Sequence, residues 1–239
     1  MGVLRRQLFE NYNALKNGTY CHRDNEIQYF DYALETEESK EEDRKFWEEH
    51  LKNADFSTEL PQSHPQVKAD GGFNAEVPVL SSEKVRSYCI DHKISAYTFF
   101  LGVYGFMLHS CSGETDFVTG TPVLNRNDDK WSNTIGFFNN TVPVSFCIKE
   151  KETVAEYFRR LSGQVLECLD HSQMQFDRLV ELMYLRRREG ENPMFQSVLA
   201  FANDSLTGKN ESVSDESGLE ISWVRSNEEI GRASCRERV

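Results

Sequence analysis

The sequence is short of several things, and most of these shortages argue against a class of function. Cationic side chains are outnumbered, 27 Lys and Arg against 39 Asp and Glu, for a formal charge of -12 over 239 residues. Phosphate neutralisation needs clustered Lys and Arg, so nucleic acid is not an expected partner. Cysteine pairing is missing: Cys21, Cys89, Cys111, Cys147, Cys168 and Cys235 include no Cys-x-x-Cys and no His at zinc-finger spacing. Reduced, mostly buried thiols are expected, with no metal site. The longest apolar run, Ala96 to Leu108, falls short of the roughly 18 residues of a membrane span. The N-terminal Met-Gly-Val-Leu-Arg-Arg places charge after its apolar residues and offers no small-residue cleavage site. No secretory leader and no membrane association are therefore expected, and the compartment predicted is the cytoplasm. Lastly, His22, His50, His64, His92, His109 and His171 include no adjacent pair.

What is present reads as alternating helices and strands. Leu4, Leu8, Tyr12 and Leu15 recur at helical spacing until Asn17-Gly18 stops them. The aromatic segment Gln28 to Leu34 precedes an acidic run, Glu35 to Asp43, leading into Phe46, Trp47 and Leu51. That pattern predicts a helix with one apolar stripe and its carboxylates on a solvated face. Residues 61–72, rich in Pro, Gly and polar side chains, predict a long loop. A strand is predicted over 73–80, then a helix capped by Ser81 or Ser82 with Glu83 in its first turn. Ile94 to Ser110 is apolar on most sides, as a buried helix is. Residues 117–123, 141–148 and 197–202 are β-branched or aromatic runs and predict strands, while 154–169 and 176–185 carry helical periodicity. A polar loop over 203–218 precedes a last predicted strand at 219–224. The fold class that follows is α/β, a mixed β-sheet covered by helices.

Five motifs stand in order along these elements. Gln28-Tyr29-Phe30-Asp31-Tyr32-Ala33-Leu34-Glu35 resembles Tyr-x-Asp-Tyr-Ala-x-Trp, with Glu35 at the Trp position. Asp116 to Arg126 resembles a segment ending Gly-Thr-Pro-x-x-Asn-Arg, matched at Gly120, Thr121, Pro122, Asn125 and Arg126. Ile135-Gly136-Phe137-Phe138-Asn139-Asn140-Thr141 resembles Ile-Gly-x-Phe-Val-Asn-Thr. His171 to Asp177 resembles His-Gln-Asp-x-Pro-Phe-Glu without its Pro, and Asn192-Pro193-Met194-Phe195-Gln196 resembles Arg-Asn-Pro-Leu-Phe-Gln, with Glu191 at the Arg position. Together they resemble the condensation domains of nonribosomal peptide synthetases, which are two-lobed folds similar to chloramphenicol acetyltransferase. The resemblance covers the second lobe only.

Amide synthesis is what this resemblance implies: an amine on one carrier-protein thioester attacks the acyl thioester of another. It implies peptidyl carrier proteins and the first lobe as partners, and no directly bound cofactor, since the phosphopantetheine arm arrives on the carrier proteins. The family's His-His-x-x-x-Asp-Gly loop would lie on the first lobe, upstream of Met1, so no catalytic residue is assigned here. The nearest imitation, His64 to Gly71, has two residues too many between His64 and Asp70 and is read as a loop. Asn140 and Thr141 are the candidates for the substrate tunnel, because short hydrogen-bonding side chains suit amide and pantetheine groups; a bend-bracing role for Asn140 is the alternative. Gly120, Thr121, Pro122, Asn125 and Arg126 are read as a crossover with a structural role, with Arg126 either a brace or a partner for an acid on the other lobe. Tyr29, Asp31 and Tyr32 are read as a packed aromatic-carboxylate anchor, and His171 as a capping or packing residue.

The expected organisation is a helical and aromatic segment (1–60), a loop (61–72), the second lobe (73–228) and a tail (229–239). The tail, Glu229-Ile-Gly-Arg-Ala-Ser-Cys-Arg-Glu-Arg-Val, resembles a translated sequencing adapter and is set aside, with the expectation of a truncated reading frame. Two other functions fit the same residues. One is a non-catalytic lobe that binds carrier proteins, the other a free-standing acyltransferase using a soluble thioester.

Overall fold

The computed structural model describes residues 2–20, 27–36, 40–56, 81–126, 128–186, 192–201, 213–214 and 220–221. In chain order these hold α1 (Gly2–Lys16), α2 (Tyr29–Thr36), α3 (Glu41–His50), α4 (Ser82–His92), α5 (Ala96–Ser112), β1 (Asp116–Val123), β2 (Asn140–Cys147), α6 (Val154–Asp170), α7 (Phe176–Leu182), β3 (Val213–Ser214) and β4 (Glu220–Ile221). Three helices begin where a hydroxyl catches a free amide. Ser81 Oγ accepts from Lys84 N at 3.3 Å and Ser95 Oγ from Thr98 N at 2.9 Å. Thr153 and Glu156 form a reciprocal capping box on α6. Helix α5 stops at Gly113, whose φ of 79° is left-handed and free of strain without a Cβ. No single helix among the described residues is long and apolar enough to cross a membrane.

The chain divides into two units. One comprises Met1–Glu38, Leu124–Asn139 and Ala202–Asn227, the other Ser39–Val123, Asn140–Phe201 and Glu228–Val239. This division interleaves the chain where the sequence reading expected consecutive segments. Its cause in the first unit is aromatic packing across a long sequence gap. The Tyr32 ring lies 5.4 Å from Trp131 and 4.5 Å from Phe138, and all three rings are buried.

The second unit is built on β1 and β2, antiparallel in a register running from Asp116 opposite Cys147 to Val123 opposite Asn140. β1 is buried at every position from Phe117 to Thr121. A strand with one wet face would alternate, so continuous burial means that both faces are covered. Phe117 belongs to a core with Leu101 and Leu108 of α5 and Phe158 and Leu161 of α6. Its neighbour Val118 points the other way and joins Trp47 and Leu51, Met174, Leu179 and Phe195. Across the ladder Phe117 stacks on Phe146 at 4.9 Å.

Of the strand predicted over 197–202, the described residues 197–201 do not form one. They meet β1 through one parallel bridge, Gly120 to Val198. Gly120 N donates to the Ser197 carbonyl and Leu199 N to the Gly120 carbonyl, both at 2.9 Å. Thr119 and Thr121 hydroxyls add bonds to the Ser197 and Leu199 carbonyls at 2.9 and 3.0 Å. Beyond Leu199 ring contacts take over, with Phe201 6.0 Å from Tyr97 and 5.9 Å from Phe100. Among the described residues this sheet is therefore the antiparallel pair β1 and β2, with one isolated parallel bridge beside it in place of the third strand that a mixed sheet requires. Of the last predicted strand, Glu220–Ile221 is described, antiparallel to Val213–Ser214, and the rest lies outside the described residues. The loop at 61–72 and the strand at 73–80 lie outside the described residues, as does most of the loop at 203–218.

Gly120 is a tight point of the β1 and β2 pair. A Cβ there would sit 2.5 Å from the Phe195 ring. Gly120→Ala is therefore expected to destabilise the chain by about 1–3 kcal/mol through overpacking. The measurement is a urea titration, where the midpoint falls at unchanged slope; an unmoved midpoint contradicts the packing described.

Candidate functional site

Five of the residues singled out in the sequence come together on β1 and β2. Gly120, Thr121 and Pro122 lie opposite Pro143, Val142 and Thr141, and the next pair is Val123 with Asn140. Asn140 is buried and uses its whole amide. Nδ2 donates to the Ser172 and Met174 carbonyls at 2.8 and 2.7 Å. Oδ1 accepts from Thr141 N at 2.9 Å and from Phe176 N, at the start of α7, at 3.1 Å. The side chain thus ties β2 to the bend between α6 and α7. That leaves Thr141, half-buried and adjacent, as the more accessible of the two.

The remaining named residues belong to the first unit and form an aromatic brace. Tyr29 OH donates to the Phe137 carbonyl at 2.7 Å, and a Cβ on Gly136 would run into the Tyr29 ring. Asn125, buried with a left-handed φ of 48°, donates from Nδ2 to Tyr32 OH at 3.1 Å. Arg126 donates to the Trp131 and Thr134 carbonyls at 2.6 and 2.9 Å and lies 3.9 Å above the Phe138 ring. These contacts make Arg126 an internal brace. Asp31 departs from the packed anchor expected of it. Its carboxylate is exposed and accepts from Gln28 N at 2.8 Å, capping the start of α2. Glu35, the residue at the Trp position of the motif, pairs with Lys130 at 2.6 Å while Lys130 lies 4.8 Å over Trp131. Only the rings of the Tyr29, Asp31 and Tyr32 group pack together.

Sequence reading missed a seam between α3 and the end of α6. Asp43, expected on a solvated face, is buried, and its Oδ1 lies 2.6 Å from His171 Nδ1. Trp47 Nε1 donates to the His171 carbonyl at 3.1 Å. The Phe46 ring lies between two imidazoles, 4.1 Å from His171 and 5.1 Å from His50, both stacked. His50 Nε2 in turn lies 3.3 Å from Ser145 Oγ and 3.4 Å from Cys168 Sγ. The available signal was the spacing of Asp43, Phe46, Trp47 and His50, which puts them on one helical face.

The His50 and Cys168 pair has the shape of a nucleophile and its base, but its electrostatics are wrong for one. Burial pushes the Cys168 thiol up to about 12. Burial also lowers His50, against a smaller raising influence of Glu167. Both groups are therefore neutral at pH 7, whereas a reactive cysteine is held as thiolate by a nearby positive charge. Among the described residues no three His, Cys, Asp or Glu side chains converge as a metal site requires.

Fold and strand pair meet in the comparisons. The family model described as "Condensation domain" matches residues 1–233. The chain belongs to the condensation-domain family. It is 27% identical over 215 residues to malpibaldin synthetase of Mortierella alpina, which covers 86% of this chain and 4% of that protein. With phosphinothricin tripeptide synthetase PhsC of Streptomyces viridochromogenes it shares 29% over 206 residues, 82% of this chain and 19% of that one. The chain thus spans a small part of the synthetases it matches. Among solved structures, the X-domain of teicoplanin biosynthesis in its complex with OxyB superposes with a TM-score of 0.66 at 21% identity, over 83% of this chain and 47% of the other. The first condensation domain of the calcium-dependent antibiotic synthetase, bound to a substrate analogue, gives 0.58 at 19%, over 84% and 46%. These structural matches establish the shared fold.

Two outcomes check the site as described. Asn140→Ala removes the four hydrogen bonds of a buried side chain, and the loss expected is about 3 kcal/mol of stability, read by denaturant titration. A loss within 0.5 kcal/mol, the ordinary range of a surface substitution, contradicts the brace. His50 sets the pH dependence. Because its folded value lies below the unfolded one near 6.5, its contribution is complete above that pH and declines as the pH falls below it. The melting temperature is expected to drop as the pH falls below about 6.5, before carboxylates take up protons. Replacing His50 by Gln flattens that slope; an equal slope in the variant rules His50 out as its cause.

Proposed function

We propose that this chain supplies the second lobe of a domain that joins carrier-bound acyl and aminoacyl groups as amides in nonribosomal peptide synthesis. The observation that carries the reading is the juxtaposition of Gly120-Thr121-Pro122 with Asn140-Thr141 on one antiparallel pair, in a chain matched to the family over residues 1–233. In the proposed reaction the amine nitrogen attacks the thioester carbonyl, a C–N bond forms as the C–S bond breaks, and the pantetheine thiol leaves with the proton given up by the amine. Such a transfer depends chiefly on holding two tethered substrates in line and on an acceptor for the amine proton. Thr141 contributes to the wall that positions the pantetheine and amide groups, with Asn140 holding its backbone. Residues 1–239 contain no adjacent His-His that could serve as the proton acceptor of the family motif.

A face for the first lobe is also proposed. Leu4, Leu8 and Leu15 of α1 are 49%, 59% and 62% exposed, a stripe at helical spacing that a partner surface would cover. Carrier proteins delivering the phosphopantetheine arm are the remaining partners.

The test uses purified chain with acyl- and aminoacyl-loaded carrier proteins, with product amide followed by mass spectrometry. No product is expected from the chain alone, and product is expected when these residues are preceded by a first lobe carrying the His-His-x-x-x-Asp-Gly loop. Turnover by the isolated chain, or none by the two-lobed protein, overturns the reading.

A further inference from the structure

The bend His171–Gln175 between α6 and α7 is gripped from two sides. From β2, Asn140 takes the carbonyls of Ser172 and Met174. From α3, Asp43 takes the His171 ring, Trp47 takes the His171 carbonyl, and Phe46 stacks on the imidazole. The two grips fall on consecutive residues, His171 and Ser172.

Asp43 stands apart from the rest of its helix. Glu41, Glu42, Glu48 and Glu49 are exposed, whereas Asp43 is buried at 6% exposure. A buried carboxylate is a poor source of net stability, because its desolvation offsets most of what a polar partner gives back, and an apolar residue of similar size often serves as well. Direction is what a carboxylate supplies and an apolar residue does not. At 2.6 Å from Nδ1, Asp43 keeps the proton on that nitrogen and fixes the rotation of the ring about its bonds.

We propose that Asp43 is a positioning residue for Thr141, acting through His171, the bend and Asn140. Holding the His171 ring sets the path of the backbone immediately after it, and hence the aim of the Ser172 and Met174 carbonyls. Those carbonyls fix the Asn140 amide, whose Oδ1 holds Thr141 N. The route runs from α3 to the site strand through hydrogen bonds and one short peptide segment, so a small movement at either end is passed on. This inference rests on the reading of Thr141 as part of the substrate wall. Displacements of about 1 Å at such a wall are enough to slow a positioned reaction on the order of a hundredfold.

The test has two arms. In the chain, Asp43→Asn preserves size, and amide hydrogen exchange is read at Thr141 and Phe176, the two N–H groups held by Asn140 Oδ1. Both are expected to exchange roughly tenfold faster while the amides of Leu101 and Leu108 in α5 keep their rates, as a local opening requires. Asp43→Glu, which retains the carboxylate, restores protection in part. In an Asn140→Ala background Asp43→Asn adds no further change at Thr141, since the link is already cut. Unchanged exchange at Thr141 and Phe176, or equal acceleration across α5, overturns the proposal. In the two-lobed protein, Asp43→Asn is expected to lower kcat for amide formation while the KM for loaded carriers stays within twofold. The exchange arm needs no substrate. Intact coupling with an unchanged kcat therefore overturns the role of Thr141 as substrate wall, and with it the positioning role, separately from any failure of the coupling itself.

Discussion

The second unit depends on β1 being buried on both faces. Five consecutive positions from Phe117 to Thr121 are shut off from water, so each neighbouring pair of residues must satisfy two different cores at once. The backbone polar groups of such a strand must find partners within the protein. β2 takes one edge, and Ser197 to Leu199 take the groups of Gly120 on the other. The threonines at 119 and 121 suit this setting, since their hydroxyls are met by carbonyls of the same neighbouring segment.

From that pair outward, order passes through polar side chains at its ends. Asn140 opens β2 with four hydrogen bonds and holds the first amide of α7 in doing so. The α3 seam repeats the device on the far side of the same bend, with Asp43 and Trp47 in place of Asn140. Buried polar groups are secure only when all their partners are present. The seam is therefore both rigid and sensitive. His50 lies in it as a neutral imidazole that acid would charge, beside a thiol that burial keeps protonated.

Much of the fold is legible in the sequence. The helices at α1, α4, α5 and α6 fall within a few residues of their predicted spans, because long apolar periodicity and hydroxyl caps are local signals. Residues 197–202 show the limit of such signals. Their β-branched and aromatic composition fits a strand, yet Phe201 answers to the rings of Tyr97 and Phe100. Asp43 shows another limit. One carboxylate in an acidic run looks like its neighbours, and only the imidazole brought against it from 128 residues away marks it as buried.

The order and identity of its motifs were settled by the sequence alone, and with them the family, because those motifs are runs of adjacent residues. Gly120, Thr121 and Pro122 carry that information wherever they are placed. Only the tertiary structure decided what each side chain does. It put Asn140 under the bend, turned Arg126 inward onto Phe138, moved Asp31 out to a helix end, and joined Asp43 to His171. The reason is one of range. Helical periodicity and capping act over a few residues and can be read along the chain, whereas burial and hydrogen-bond partnership are properties of segments that meet only after the chain has folded.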